Sequence, residues 1–120
     1  MNNFRELKIW QLSIEIAKLV FKMTRNFPPD ERYALTAQLT RASVSISSNI
    51  AEGCSGKSKK EFNHFLSIGL GSAYELETQL ILAYDFGYVD KLSFEYIIPK
   101  INQLERMVGG LQKTSEKKKV

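Results

Sequence analysis

Residues 43–53 read SVSISSNIAEG. Whether this stretch is strand or helix decides the fold class, because the chain on both sides of it has a helical pattern. Four serines and Asn49 are threaded through Val44, Ile46 and Ile50. Val44 and Ile46 alternate with polar residues as in a half-buried strand, and serine and β-branched residues are weak helix formers. The longer register argues the other way. Leu35, Leu39, Ala42, Ile46, Ile50 and Gly53 recur at spacings of three and four straight through the stretch. Period two is matched only over Val44–Ile46. No turn signal separates Leu39 from Val44, so the spacing predicts one helix over 31–54.

On a helix this segment resolves into three rows. Beside the apolar row runs a polar row: Gln38, Arg41, Ser45, Asn49 and Glu52. A third row is small: Thr36, Thr40, Ser43 and Ser47, ending near Ala51 and Cys54. Small side chains let another helix come close, and serine and threonine hydroxyls can satisfy themselves on the carbonyl four residues back. Gly69, Gly71, Ser72 and Ala73 offer a matching small patch in the third helix. Arg41 and Glu52 are three turns apart, about 16 Å by helix rise, and cannot pair with each other. If their face is buried each needs a partner, and Glu75 and Glu77 are the expected ones for Arg41. The plainer expectation is that the polar row faces solvent.

Working outward, residues 3–26 carry two apolar rows. Leu7, Trp10, Ile14, Ala17, Phe21 and Thr24 form one; Ile9, Leu12, Ile16, Leu19 and Met23 form the other. They lie about 140° apart on a helix, and a charged row (Lys8, Gln11, Glu15, Lys18, Lys22, Arg25) fills the gap behind them. One row is expected to face a bundle core, and the other must face something else. Asn26-Phe27-Pro28-Pro29-Asp30 breaks the helix, with Asp30 as the expected cap of the next. After Ser55-Gly56-Lys57, the serine and glutamate of Ser58-Lys59-Lys60-Glu61 match a capping box. Phe62, Leu66, Gly69, Ala73, Leu76, Leu80 and Ala83 define a third helix over 58–87. Asp90 or Ser93 caps a fourth over 91–112, aligned on Phe94, Ile97, Ile101, Leu104, Val108 and Leu111. Pro99 should bend it and Gly109-Gly110 should weaken its end. Four helices with short connections predict an all-α, antiparallel up-down-up-down four-helix bundle over residues 1–112. Residues 113–120 are expected to be a disordered basic tail.

With 120 residues the chain is long enough for one domain with a core. It has no apolar run of membrane-spanning length, no signal-peptide block and a single cysteine, so a cytoplasmic location is expected. The net charge is +4, of which Lys113, Lys117, Lys118 and Lys119 against Glu116 supply +3, leaving the body near neutral.

Chemistry has few footholds. Cys54 and His64 are the only Cys/His pair, and no third group or oxyanion site accompanies them. No Cys/His cluster or Glu-x-x-His pair suggests a metal. Gly69-Leu70-Gly71-Ser72 lies inside a helical pattern and is no phosphate loop. The expectation is a non-enzymatic protein without cofactor or metal.

Several residues carry a likeness. Phe27-Pro28, Glu31, Leu35, Gln38, Arg41-Ala42, Ser45-Ile46, the run Asn49-Ile50-Ala51-Glu52-Gly53, then Phe62, Phe65-Leu66, Gly71-Ser72, Glu75-Leu76-Glu77 and Gly87-Tyr88 resemble the bacterial four-helix-bundle family encoded by intervening sequences in 23S rRNA genes. The likeness spans roughly residues 4–108. It implies a cyclic homopentamer. It also implies kinship with the accessory variability protein of diversity-generating retroelements, a basic pentameric barrel that binds nucleic acid and a reverse transcriptase.

Two functions follow as expectations. The first is RNA or DNA binding through phosphate contacts, with Lys18, Lys22 and Arg25 on helix one and Lys57, Lys59 and Lys60 in the loop as candidates, each patch multiplied around a ring. The second is a protein-interaction scaffold with no nucleic-acid role; a reverse transcriptase is the partner that the kinship suggests. Gln38, Arg41, Ser45, Asn49 and Glu52 are the candidates for fixing register between helices or subunits.

Overall fold

The computed structural model describes residues 3–117, with side chains as far as Thr114. Four helices form: α1 (Lys8–Thr24), α2 (Leu35–Ser55), α3 (Lys59–Asp85) and α4 (Lys91–Lys117). None of the described residues is in a strand, and the serine-rich stretch lies wholly within α2. Each helix packs on its neighbours in sequence, and α4 closes the square against α1. Facing pairs run in opposite senses. Ser45 meets Ser72 while Gly53 meets Phe62; Tyr84 stacks on Phe94 while Gln112 reaches Asn63. The bundle is antiparallel and elongated, with extents of 49 × 23 × 20 Å.

The helix boundaries shift for local reasons. Phe4–Glu6 form a separate 3-10 turn, capped by Asn3 Oδ1 accepting from Arg5 N, and extended Leu7 divides it from α1. Asp30 does not cap α2. Pro29–Glu31 make a second 3-10 turn, and α2 starts at Leu35, four residues later than expected. Ser58 Oγ accepts from Glu61 N at 3.1 Å, as the capping box requires. Asp90, not Ser93, caps α4: its Oδ1 accepts from Ser93 N at 2.8 Å, which holds the carboxyl below its usual pKa. Gly87, at φ +82°, ends α3 in a left-handed turn, with Tyr88 N donating to Ala83 O and Gly87 N to Tyr84 O. Contrary to expectation α4 runs through Gly109-Gly110 to Lys117, so residues 113–117 are helical; residues 118–120 of the expected tail lie outside the described residues. Gln112 Nε2 holds this end on α3 by donating to Asn63 O and Ser67 Oγ.

The core follows the apolar rows of three helices closely. All seven row residues of α3 are buried, as are Leu39, Ala42, Ile46, Ile50 and Gly53 on α2, and Ile97, Ile101, Leu104 and Val108 on α4. Helix one is different. Its buried line takes Ile9 and Ile16 from the second predicted row, Thr24 from the first, and Ser13 and Val20 from neither. Phe21 of the first row lies beside Ala37 and Val44 of α2. Leu19 and Met23 of the second lie beside Tyr96 and Ile97 of α4. In a square bundle a helix has two flanking neighbours, so both rows find partners inside the chain. The second row does not need another subunit.

Candidate functional site

The polar row of α2 borders α3. Gln38, Arg41, Ala42 and Ser45 form one wall of a groove of ≈ 430 Å³, and Ser72, Glu75 and Gln79 form the other. Its floor is a cross-helix hydrogen bond, Ser45 Oγ to Ser72 Oγ at 2.8 Å. Asn49 Nδ2 buttresses this bond by donating to both Ser45 O and Ser45 Oγ. The middle of the row thus touches α3, while Gln38, Arg41 and Glu52 are exposed. Arg41 pairs with neither expected carboxylate. Among the described residues the ion pair is Lys100–Glu15, at 2.8 Å. Glu75 shares the groove with Arg41, whereas Glu77, two residues on, faces α4. Gln79 was missed from sequence. Its spacing of four from Glu75 and seven from Ser72 placed it on their face, and its Oε1 is buried without a hydrogen-bond partner.

The small row behaves as its hydroxyls predict, although the bonds mostly reach three residues back. Ser43 Oγ donates to Thr40 O at 2.9 Å and Ser47 Oγ to Val44 O at 3.1 Å. These serines are buried with their donors satisfied. Close approach to α3 is set by Gly53, where a Cβ would lie 3.2 Å from Phe65 Cβ and 3.3 Å from Phe62 O. Gly71 does not join this seam; it is exposed with nothing near it.

The six basic candidates do not form one patch. Lys57, Lys59 and Lys60 are exposed at the foot of the bundle, where α2 ends and α3 begins. Lys57 and Lys59 border a hollow of ≈ 280 Å³ with Gly53, Cys54, Gly56, Ser58 and Phe62. Arg25 caps the far end of α1, and Lys18 and Lys22 step back from it along the helix, all three exposed. What joins the foot is Lys113, also exposed, brought there by the Gln112 contacts with α3. Glu52 and Glu61 are exposed nearby. At the head, Asp30, Asp85 and Asp90 are exposed, and Tyr88 Oη donates to Glu31 Oε2 at 2.9 Å, which pushes the phenol pKa up. Of the aromatic residues there, Tyr84 stacks on Phe94 at 4.3 Å, and Phe86 is 62% exposed.

Cys54 is buried, and burial raises its thiol pKa, which makes it a poor nucleophile. His64 is exposed and packs edge-on against Phe65. No helix among the described residues is long and apolar enough to cross a membrane.

A family model described as 23S rRNA-intervening sequence protein matches residues 5–110. The fold is also similar to the crystal structure of a protein with unknown function, of the S23 ribosomal protein family, from Bacteroides thetaiotaomicron. The TM-score is 0.79 at 24% identity, over 88% of this chain and 98% of that one. At that identity the likeness speaks for the fold alone. No curated protein matches the chain.

Proposed function

The chain belongs to the 23S rRNA-intervening sequence protein family, and from that premise we propose that it is a non-enzymatic protein that binds RNA or DNA through phosphate contacts at the foot of its bundle. The observation that carries this reading is that Lys57, Lys59 and Lys60 share the foot of the bundle with the turn of α4 that carries Lys113, residues some fifty positions apart. Such contacts hold the backbone and carry little sequence information. Assembly into a cyclic homopentamer, which the family resemblance implies, would repeat the foot on one face of a ring and multiply a modest charge. Lys18, Lys22 and Arg25 would form a separate patch further up.

The test is retention on immobilised RNA or DNA across a salt series. Log affinity should fall with log salt, by about 0.9 per neutralised phosphate on duplex DNA and about 0.7 on single strands. Replacing Lys57, Lys59 and Lys60 with alanine should flatten that slope by two to three such steps. Absence of retention at low salt would leave the second reading, a protein-interaction scaffold. That reading draws on the head, where Tyr33, Phe86 and Leu92 are 89%, 62% and 81% exposed.

A further inference from the structure

The seam between α3 and α4 holds two carboxyl groups face to face. Glu77 on α3 and Glu105 on α4 are both half-buried and lie near one level of this antiparallel seam, between the Tyr84–Phe94 and Gln112–Asn63 contacts. Glu105 Oε1 accepts from Asn102 Nδ2 at 3.2 Å. Glu105 Oε2 is buried and has no hydrogen-bond partner. An ionised oxygen in that position is penalised twice, by lost solvation and by the neighbouring negative charge. A proton on the Glu105 carboxyl removes both penalties, because the hydroxyl it forms can donate to Glu77. We propose that Glu105 is held as a neutral carboxylic acid hydrogen-bonded to the Glu77 carboxylate, forming a proton-dependent clamp between α3 and α4.

The surroundings agree. Burial first, and then the Glu77 hydrogen bond, push the Glu105 pKa from 4.5 up to about 7; Asn102 and the charge of Arg106 pull weakly the other way. From the other side of α4, α1 contributes no competing charge. Its Glu15 is engaged by Lys100, five residues before Glu105 and about 140° round the helix. A pKa raised on folding contributes stability that is complete below the unfolded value. It is lost as pH climbs to the folded value. In the folded protein the proton stays on Glu105 until the pH nears about 7, so the clamp is closed well below that pH and open well above it, while its stabilising effect fades between about pH 4.5 and pH 7. It stands independently of nucleic-acid binding. It also assigns a task to Glu77, which forms no pair with Arg41.

Two measurements test it. The melting temperature of the wild type should fall by about 3–5 °C between pH 5 and pH 8. Glu105→Gln, which keeps the shape and supplies an N–H donor, should lose that fall and match or exceed the wild type at pH 8. Equal pH dependence in the two proteins would overturn the clamp. Should Glu105→Gln not fold, the Cδ resonance of Glu105 in the wild type gives the answer by NMR. A titration midpoint near 7 supports the clamp, and one near the ordinary 4.5 defeats it.

Discussion

The two seams that flank α3 are built on different plans. Against α2 the contact is close and small. Gly53 admits the ring and carbonyl of Phe62 and the Cβ of Phe65, Gly69 lies beside Ile46 O and Asn49 Cβ, and the seam's hydroxyls close on each other or on their own helix. Against α4 the contact is made by long side chains. Tyr84 stacks on Phe94, Gln112 spans to Asn63 and Ser67, and Glu105 faces Glu77. A close seam fixes position through excluded volume and tolerates no added atom. A long-armed seam has slack, and it can hold groups whose state depends on solution conditions. This contrast explains why the serine-rich segment is helical despite its composition. It gives up helix propensity and gains proximity to α3.

The same substitution should have opposite signs in the close α2–α3 seam and on the exposed face of α4, which is the strongest way to break the contrast. Gly53→Ala puts a Cβ within 3.2–3.3 Å of Phe65 Cβ and the Phe62 carbonyl, and should cost about 1–3 kcal/mol. Gly110→Ala meets nothing within 4 Å and replaces a poor helix former, so it should add about 0.5–1 kcal/mol. Urea unfolding of both variants decides this; a tolerated Gly53→Ala would mean that the α2–α3 seam has slack after all. Ser72→Ala probes the floor of the groove. It removes the partner of Ser45, although Asn49 Nδ2 still reaches that hydroxyl, so a loss of about 1 kcal/mol is expected. A change below a few tenths would show that packing, not the hydrogen bond, sets the register there. The smallest effect belongs to Arg41→Ala. Arg41 is exposed and forms no ion pair among the described residues, so stability should move by no more than about 0.5 kcal/mol. Its solution mass by light scattering is the sharper reading. A drop in mass at unchanged stability would assign Arg41 to contacts between copies, and an unchanged mass would remove that role.

Helix four and helix one show where reading the sequence succeeded and where it fell short. The rows of α2, α3 and α4 were legible because a run at spacing three and four, longer than any competing period, has one buried face whatever it packs against. In α1 two rows of similar strength were visible, and the buried line took members of both together with Ser13 and Val20, which belonged to neither. Apolarity marked the flanks, and the polar Ser13 gave no signal of burial. The end of α4 was missed for a related reason. Gly109-Gly110 weakens a helix in isolation, but the contacts of Gln112 with α3 are tertiary and override that preference.

The candidate site divides in the same way. Sequence placed Gln38, Arg41, Ser45, Asn49 and Glu52 on one face, and the six basic residues on exposed positions, because helical spacing and charge suffice for that. It could not show which atoms meet across a seam. Ser45 found Ser72, Glu77 turned to Glu105 instead of Arg41, and Lys113 came to the same end of the bundle as Lys57, Lys59 and Lys60. Periodicity is a property of one helix and survives in the one-dimensional string. Partnership between polar groups depends on the relative rotation and offset of two helices, which the packing of the whole core fixes. The sequence alone therefore determined four helices and the buried faces of three of them, and only the tertiary structure decided the buried line of α1 and which charges and hydroxyls became neighbours.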